Sequence, residues 1–217
     1  MGPITPGEIE RRSFEIIESE VPEPRPYRGI EWQIVRRMIH ASADFELLGL
    51  VRFHPKAVEA GIESLSRGCT VVTDTKMARY GISPGRMAEL ACKVECYVDK
   101  EEVIETAKSQ GITRAMAAVE FASSRMNGAI LVVGNAPTAL IKIMELVEGG
   151  RIKPSLIVGM PVGFVNVIEA KERLMSQDHI PYITVVGRKG GSPLACAVVN
   201  QLATIALEHL RRSRGIS

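Results

Sequence analysis

From Thr70 onward, short apolar runs rich in β-branched residues alternate with longer segments of helical character. The spacing predicts strands at Thr70–Thr73, Ala129–Val133, Ser155–Val158 and Tyr182–Val186, with a weaker one over Lys93–Val98. Between them it predicts a helical turn after Asp74-Thr75 and helices over Asp99–Gln110, Thr113–Ser124, Pro137–Glu148 and about Asn166–Met175. A long terminal helix starts at Ser192-Pro193 and ends near Arg211-Arg212. The strands are apolar on nearly every residue instead of on every second one. Such strands belong to a parallel sheet covered by helices on both faces. The expected architecture is α/β: a single three-layer domain over residues 1–217, with a mostly parallel sheet of about five strands. A chain of 217 residues builds one sizeable core and is short for two.

Two helices precede the alternating unit. Thr5-Pro6-Gly7-Glu8 reads as a capping box with proline at the first helical position, opening a helix to about Glu20. Pro22, Pro24 and Pro26 mark Val21–Arg28 as an extended linker, and a second helix follows over Gly29–Ser42. This pair is expected to pack beside the sheet or on a partner.

Composition removes several function classes. Twenty-seven basic against 25 acidic residues leave a net charge of +2, which argues against a dedicated nucleic-acid binder. No uninterrupted apolar run approaches the ~20 residues of a membrane helix. The opening MGPITPGEIERR lacks the apolar core of a signal peptide, and Pro6 stands where a myristoylation signal needs Ser or Thr. Cys69, Cys92, Cys96 and Cys196 form no CxxC and no zinc spacing with histidine, so no metal is expected and the thiols suit a reducing cytoplasm. Gly187 onward fails the phosphate-loop pattern because Ser192 takes the second glycine's place, and no GxGxxG follows a strand. No nucleotide cofactor is expected.

In an open parallel sheet, ligands bind at the carboxyl ends of the strands. Four such ends carry loops of glycine, proline and small polar residues: Thr73-Asp74-Thr75, Gly134–Thr138, Gly159–Gly163 and Gly187–Ser192. Singly, each reads as good turn and cap chemistry. Together on one edge they point to a site for carboxylate or phosphate, with Thr75, Asn135, Ala136, Thr138, Lys189, Gly190, Gly191 and Ser192 as candidates.

The second helix carries a further signal. Ile30, Trp32, Ile34, Val35, Met38, Ile39 and Ala41 fill one apolar arc, while Gln33, Arg36, Arg37 and His40 occupy the other side. That side is either a solvated basic face or an anion-facing wall holding a titratable group. Ser13 stands inside the apolar arc of the first helix, among Ile9, Ile16 and Ile17; its hydroxyl either bonds back to its own helix or lines a ligand wall. Arg114 opens a helix, where a cation opposes the helix dipole and calls for an anionic partner. His54, His179 and His209 read as turn or helix-end residues. Asp44 and Glu46 follow His40 closely, but the spacing identifies no carboxylate pair.

The strings Arg36-Arg37-Met38-Ile39-His40, Thr73-Asp74-Thr75-Lys76-Met77, GNAPTAL from Gly134, GMPVGFV from Gly159 and Gly187–Ser192, in this order, carry a resemblance. Over nearly its whole length the chain resembles the precorrin-8X methylmutase family, which includes the cobalt-precorrin-8 enzymes of the anaerobic cobalamin pathway. The resemblance implies a flavodoxin-like fold and a homodimer with its site near the interface. It also implies a methyl shift from C-11 to C-12 of a corrin precursor, giving hydrogenobyrinate or cobyrinate. The family's catalytic histidine matches His40. Its substrate-contacting serine and arginine match Ser13 and Arg37, and a ring-carboxylate arginine matches Arg114. An intramolecular shift needs no redox cofactor. Two other classes remain open: a corrinoid carrier without catalysis, and a flavin or nucleotide protein on the same fold. An aromatic content of 5% makes flavin stacking less attractive.

Overall fold

The structure, a computed structural model, describes residues 5–213. Met1–Ile4, part of the opening read above for a leader, lie outside it, as does the end of the expected domain beyond Ser213. Helix α1 (Pro6–Glu20) begins with the capping box read from the sequence: the Thr5 hydroxyl accepts from Glu8 N, and the Glu8 side chain accepts from Thr5 N. Helix α2 (Gly29–Ser42) ends on Ala43, whose φ of 53° turns the chain sharply. The short α3 (Leu47–Leu50) leads into strand β1 (Val51–Phe53) and helix α4 (Ala57–Ser66). Then come β2 (Thr70–Thr73), α5 (Lys76–Gly81), α6 (Pro84–Glu89), β3 (Lys93–Cys96), α7 (Glu101–Gln110) and α8 (Arg114–Ala122), which runs on into a 3₁₀ turn at Ser123–Arg125. The chain closes with β4 (Ile130–Val133), α9 (Pro137–Glu148), β5 (Leu156–Gly159), α10 (Val167–Met175), β6 (Tyr182–Val185) and α11 (Ser192–Ser213).

The sheet has six strands in the order β1-β6-β5-β4-β2-β3. All neighbours are parallel except β1, which pairs antiparallel with β6 from Val51↔Val185 to Phe53↔Ile183. The expected count of about five thus grows by an edge strand. Its three residues include an arginine, so it carries too little pattern to announce itself.

The doubly covered sheet explains the unbroken apolar strands. Ile130, Val132, Leu156, Val158, Ile183 and Val185 face a core built with α1, α2, α4, α6 and α11. Leu131, Val133, Ile157 and Val72 face a second core built with α7, α8, α9 and α10. Every residue of the central strands β4 and β5 therefore has an apolar side to enter, whereas Arg52 of β1 and Lys93 of β3, on the two edge strands, are exposed. Helix α11 is long and apolar enough to cross a membrane by composition, but most of it is buried and it packs on α2 and α4 as a core helix.

Helix α1 contradicts one sequence expectation. Ile9 and Ile16 are each 54% exposed, whereas Ile17 and Val21 are buried and Phe14 half-buried. The arc containing Ser13 is thus largely the outer face, and the inner line runs through Phe14 and Ile17. Ala41, expected inside the apolar arc of α2, is also exposed.

Candidate functional site

The loops after β2, β4, β5 and β6 gather at one edge of the sheet. A cleft of about 690 Å³ opens there, lined by Asp74, Thr75 and Lys76 after β2, by Val98 and Asp99 after β3, and by Thr113–Ala115 at the start of α8. Asn135–Thr138 after β4 and Val162 after β5 complete it. It collects the sequence candidates Thr75, Arg114, Asn135, Ala136 and Thr138. The hydroxyls of Thr113 and Thr138 meet at 2.9 Å, and Lys76 pairs with Asp99 on the rim. Arg114 is exposed on this cleft and has no ion-pair partner among the described residues.

A buried carboxylate that the sequence candidates did not include organises this cleft. Asp74 Oδ1 accepts from Gly134 N at 2.8 Å, and its Oδ2 accepts from Asn135 N at 2.9 Å and Ala136 N at 2.8 Å. Asp74 is 9% exposed, and burial pushes its carboxyl above the ordinary range against the downward pull of those three amides. The side chain sits at the N-terminus of α9, where the helix dipole favours an anion. The amides expected to face a ligand are therefore held by the chain's own carboxylate, which leaves the side chains of Asn135 and Thr138 for the cleft.

A second cleft, of about 390 Å³, lies between α2, α5, α6 and α11. Arg37, Ala41, Met77, Arg86, Ser192 and Asn200 are among its lining residues. The two clefts share a wall, because Thr75 Oγ1 and Ser192 Oγ meet at 3.0 Å. Gly134 permits this closeness, and Gly190 permits a separate close approach of the β6–α11 loop to the segment after β5. A Cβ on Gly134 would lie 2.7 Å from Ser192 Cα, and one on Gly190 would lie 2.5 Å from the carbonyls of Met160 and Pro161.

The basic face of α2 is not simply solvated; α1 supplies anions to it. Arg37 Nη1 reaches Glu10 at 2.5 Å and its Nε donates to Gln201 at 3.2 Å, while Arg36 reaches Glu18 at 2.7 Å. The Arg37 hydrogen bond holds the Glu10 carboxyl below its usual range. Both guanidinium groups stack on Phe14, at 4.4 and 4.7 Å from its ring centre. His40 is half-buried with its ring 5.2 Å from Phe14, on the last turn of α2 and one residue before Ala41 of the second cleft. His40 itself lines neither cleft. The Ser13 hydroxyl donates to Ile9 O at 2.8 Å, so of its two readings the bond to its own helix is the one formed.

Lys189 joins the β6–α11 loop to the segment after α2. Its ammonium lies 2.6 Å from both Asp44 and Glu46, so these two do form a carboxylate pair, with the lysine between them. The lysine lowers the Asp44 pKa. The remaining histidines are structural where bonds define them: His54 Nδ1 accepts from Lys56 N at 3.1 Å, which leaves Nε2 to donate to Asp178 O at 2.9 Å.

The model of the precorrin-8X methylmutase family matches residues 8–205. The chain belongs to that family. The cobalt-precorrin-8 methylmutase of Leptospira interrogans is 42% identical over 91% of this chain and 93% of its own length. The precorrin-8X methylmutase of Pseudomonas aeruginosa is 37% identical over 90% and 94%. The crystal structure of precorrin-8X methylmutase from Thermus thermophilus superposes with a TM-score of 0.87 at 42% identity, covering 93% of this chain and 96% of that one. As a member of the methylmutase family the chain is an isomerase, and the α/β architecture read from its sequence is the family's.

Proposed function

We propose that this isomerase of cobalamin biosynthesis moves a methyl group from C-11 to C-12 of precorrin-8X or its cobalt form, giving hydrogenobyrinate or cobyrinate. The observation that carries the reading is the joined pair of clefts at the sheet edge. Thr75 and Ser192 form their common wall, and Arg37, Arg86 and Arg114 are distributed around them. A flat macrocycle bearing many carboxylates needs such an extended surface with separated cations. Ser13, Asn135, Ala136, Thr138, Lys189, Gly190 and Gly191 would complete its binding.

His40 is assigned the proton exchange with a ring C nitrogen. Histidine is the side chain whose ordinary pKa lies near neutrality, so it can give and take back one proton as the methyl migrates. The methyl shift itself is intramolecular. The protein's work is then to select the reactive tautomer and hold the ring still.

A homodimer with the site near its interface fits the same surface. Phe164 and Val165, beside the strand-end loops, are 82% and 76% exposed, and the outer face of α1 presents Ile9, Ser13 and Ile16. A second copy covering these faces would bring its own loops toward His40. We treat residues 1–217 as one domain working in the cytoplasm.

His40→Ala should bind cobyrinic acid with near-normal affinity and lose turnover of the precursor. Absorption spectra, followed by mass and NMR identification of the product, read both. Unchanged mass with a moved methyl marks the isomerase, and normal turnover by the variant refutes the role of His40. Binding by the wild-type protein without any conversion would mark a carrier.

A further inference from the structure

Lys171, in the middle of α10, is completely buried, yet no carboxylate pairs with it among the described residues. Its ammonium donates instead to two backbone carbonyls of the β6–α11 loop, Gly187 O at 2.9 Å and Lys189 O at 2.5 Å. The carbonyl between them, Arg188 O, accepts from Gly163 N at 3.3 Å. Three consecutive carbonyls of this loop are thus turned inward onto donors. Across the same stretch, the N–H groups of Arg188 and Gly190 have no acceptor among the described residues, and that of Lys189 makes no close hydrogen bond beyond the turn it closes toward Val186 O over Gly187-Arg188. The following residue is fixed too, since Gly191 N donates to Met160 O at 2.9 Å.

We propose that Lys171 is a positioning residue of the methylmutase site: by holding the carbonyls of Gly187 and Lys189 inward, it presents the amides of Arg188–Gly190 to a carboxylate of the substrate. This rests on the reading above that the loop meets the tetrapyrrole. A buried ammonium without a counter-ion is a poor way to add stability, because the charge is desolvated and nothing of opposite sign offsets it. Burial accordingly pushes its pKa down from 10.5 to about 8. A lysine stem also spans a distance that no apolar side chain could bridge with a hydrogen bond. The chain tolerates an unfavourable burial at the one place where it orders a loop rich in glycine, with φ of 77° at Gly187 and 118° at Gly191.

The test is Lys171→Met, which keeps most of the stem volume and removes the donors. Titration with cobyrinic acid should show affinity weakened about tenfold or more, and KM for the precursor should rise in parallel. At saturation kcat should stay within about threefold, because His40 is untouched. Lys189→Ala separates this proposal from the reading beneath it. If Lys189→Ala binds normally and cobyrinic acid leaves the Arg188–Gly190 amide signals unmoved, the loop does not meet the ligand and both fall. If Lys189→Ala weakens binding while Lys171→Met binds like wild type, the positioning role alone falls. A lower melting temperature with unchanged KM would show a purely structural lysine and also overturn the proposal. Should Lys171→Met not fold, the labelled wild-type protein decides. The Lys171 ammonium should show through-hydrogen-bond couplings to the carbonyl carbons of Gly187 and Lys189 that persist in the cobyrinic acid complex. Their disappearance on binding contradicts the proposal.

Discussion

The loop after β4 and the loop after β6 leave the same edge of the sheet, one strand apart, and each is organised by a buried charge of opposite sign. Asp74 holds the first by its amides; Lys171 holds the second by its carbonyls. The consequence for ligand binding is opposite too. The β4 loop has its N–H groups filled, so what it offers a substrate is side chains. The β6 loop has its carbonyls filled and keeps its N–H groups for an anion. Loops that both open with glycine, at equivalent places in the fold, therefore do different work, and the residue that decides lies outside each loop.

The largest expected effect comes from removing the acid. Asp74→Ala strands three amides at the N-terminus of α9 and should cost about 3 kcal/mol or more in urea unfolding, at about 1–3 kcal/mol for each buried unpaired group. Asp74→Asn should not rescue it fully, because its NH₂ would face a backbone donor. Full stability in both variants would remove the acid's half of the comparison. Next comes Gly190→Ala. Its Cβ would press on the Met160 and Pro161 carbonyls at 2.5 Å, so the loop must move. We expect a loss of about 1–3 kcal/mol, together with weaker cobyrinic acid binding. Thr75→Val should cost about 1 kcal/mol by breaking the bond to Ser192 and the cap on α5.

The base's half of the comparison is tested by a slope with pH. Lys171 gives up its proton near pH 8 in the folded protein but near 10.5 when unfolded. Between those values the unfolded chain holds more protons, so the site's contribution to stability rises with pH. Below pH 8 the burial penalty is present in full. The melting temperature of the wild type relative to Lys171→Met should therefore improve from about pH 7 to about pH 10. A constant difference would show that the ammonium is not desolvated.

Much of the frame was legible in the sequence, for local reasons. The capping box, the proline at the start of α9 and the β-branched runs each act within a few residues, and α2 and α9 begin and end where their patterns do. What was not legible depends on distant partners. Asp74 acts on residues 60 to 62 positions away, and in the sequence its Thr-Asp-Thr setting is one turn among several. Lys171 sits in Glu-Ala-Lys-Glu, which reads as a solvated helix face until the β6 loop closes over it. The pairing of Asp44 and Glu46 appears only when Lys189, 145 positions from Asp44, arrives between them. Of the candidate residues, Arg37, Thr75, Arg114, Asn135, Ala136, Thr138 and Ser192 fall on the two clefts, while Lys189, Gly190 and Gly191 lie in the neighbouring loop and line neither. His40 and Ser13 belong to an outer face that one chain leaves open.

The most direct test of the opposed loops is a titration of the ¹⁵N-labelled protein with cobyrinic acid, following single amides. Arg188, Lys189 and Gly190 N–H signals should shift and become protected from exchange, while those of Gly134, Asn135 and Ala136 should be protected by Asp74 before any ligand is added and gain no further protection. Ligand-induced protection at Gly134–Ala136 with silence at Arg188–Gly190 would contradict the opposed roles of the two loops.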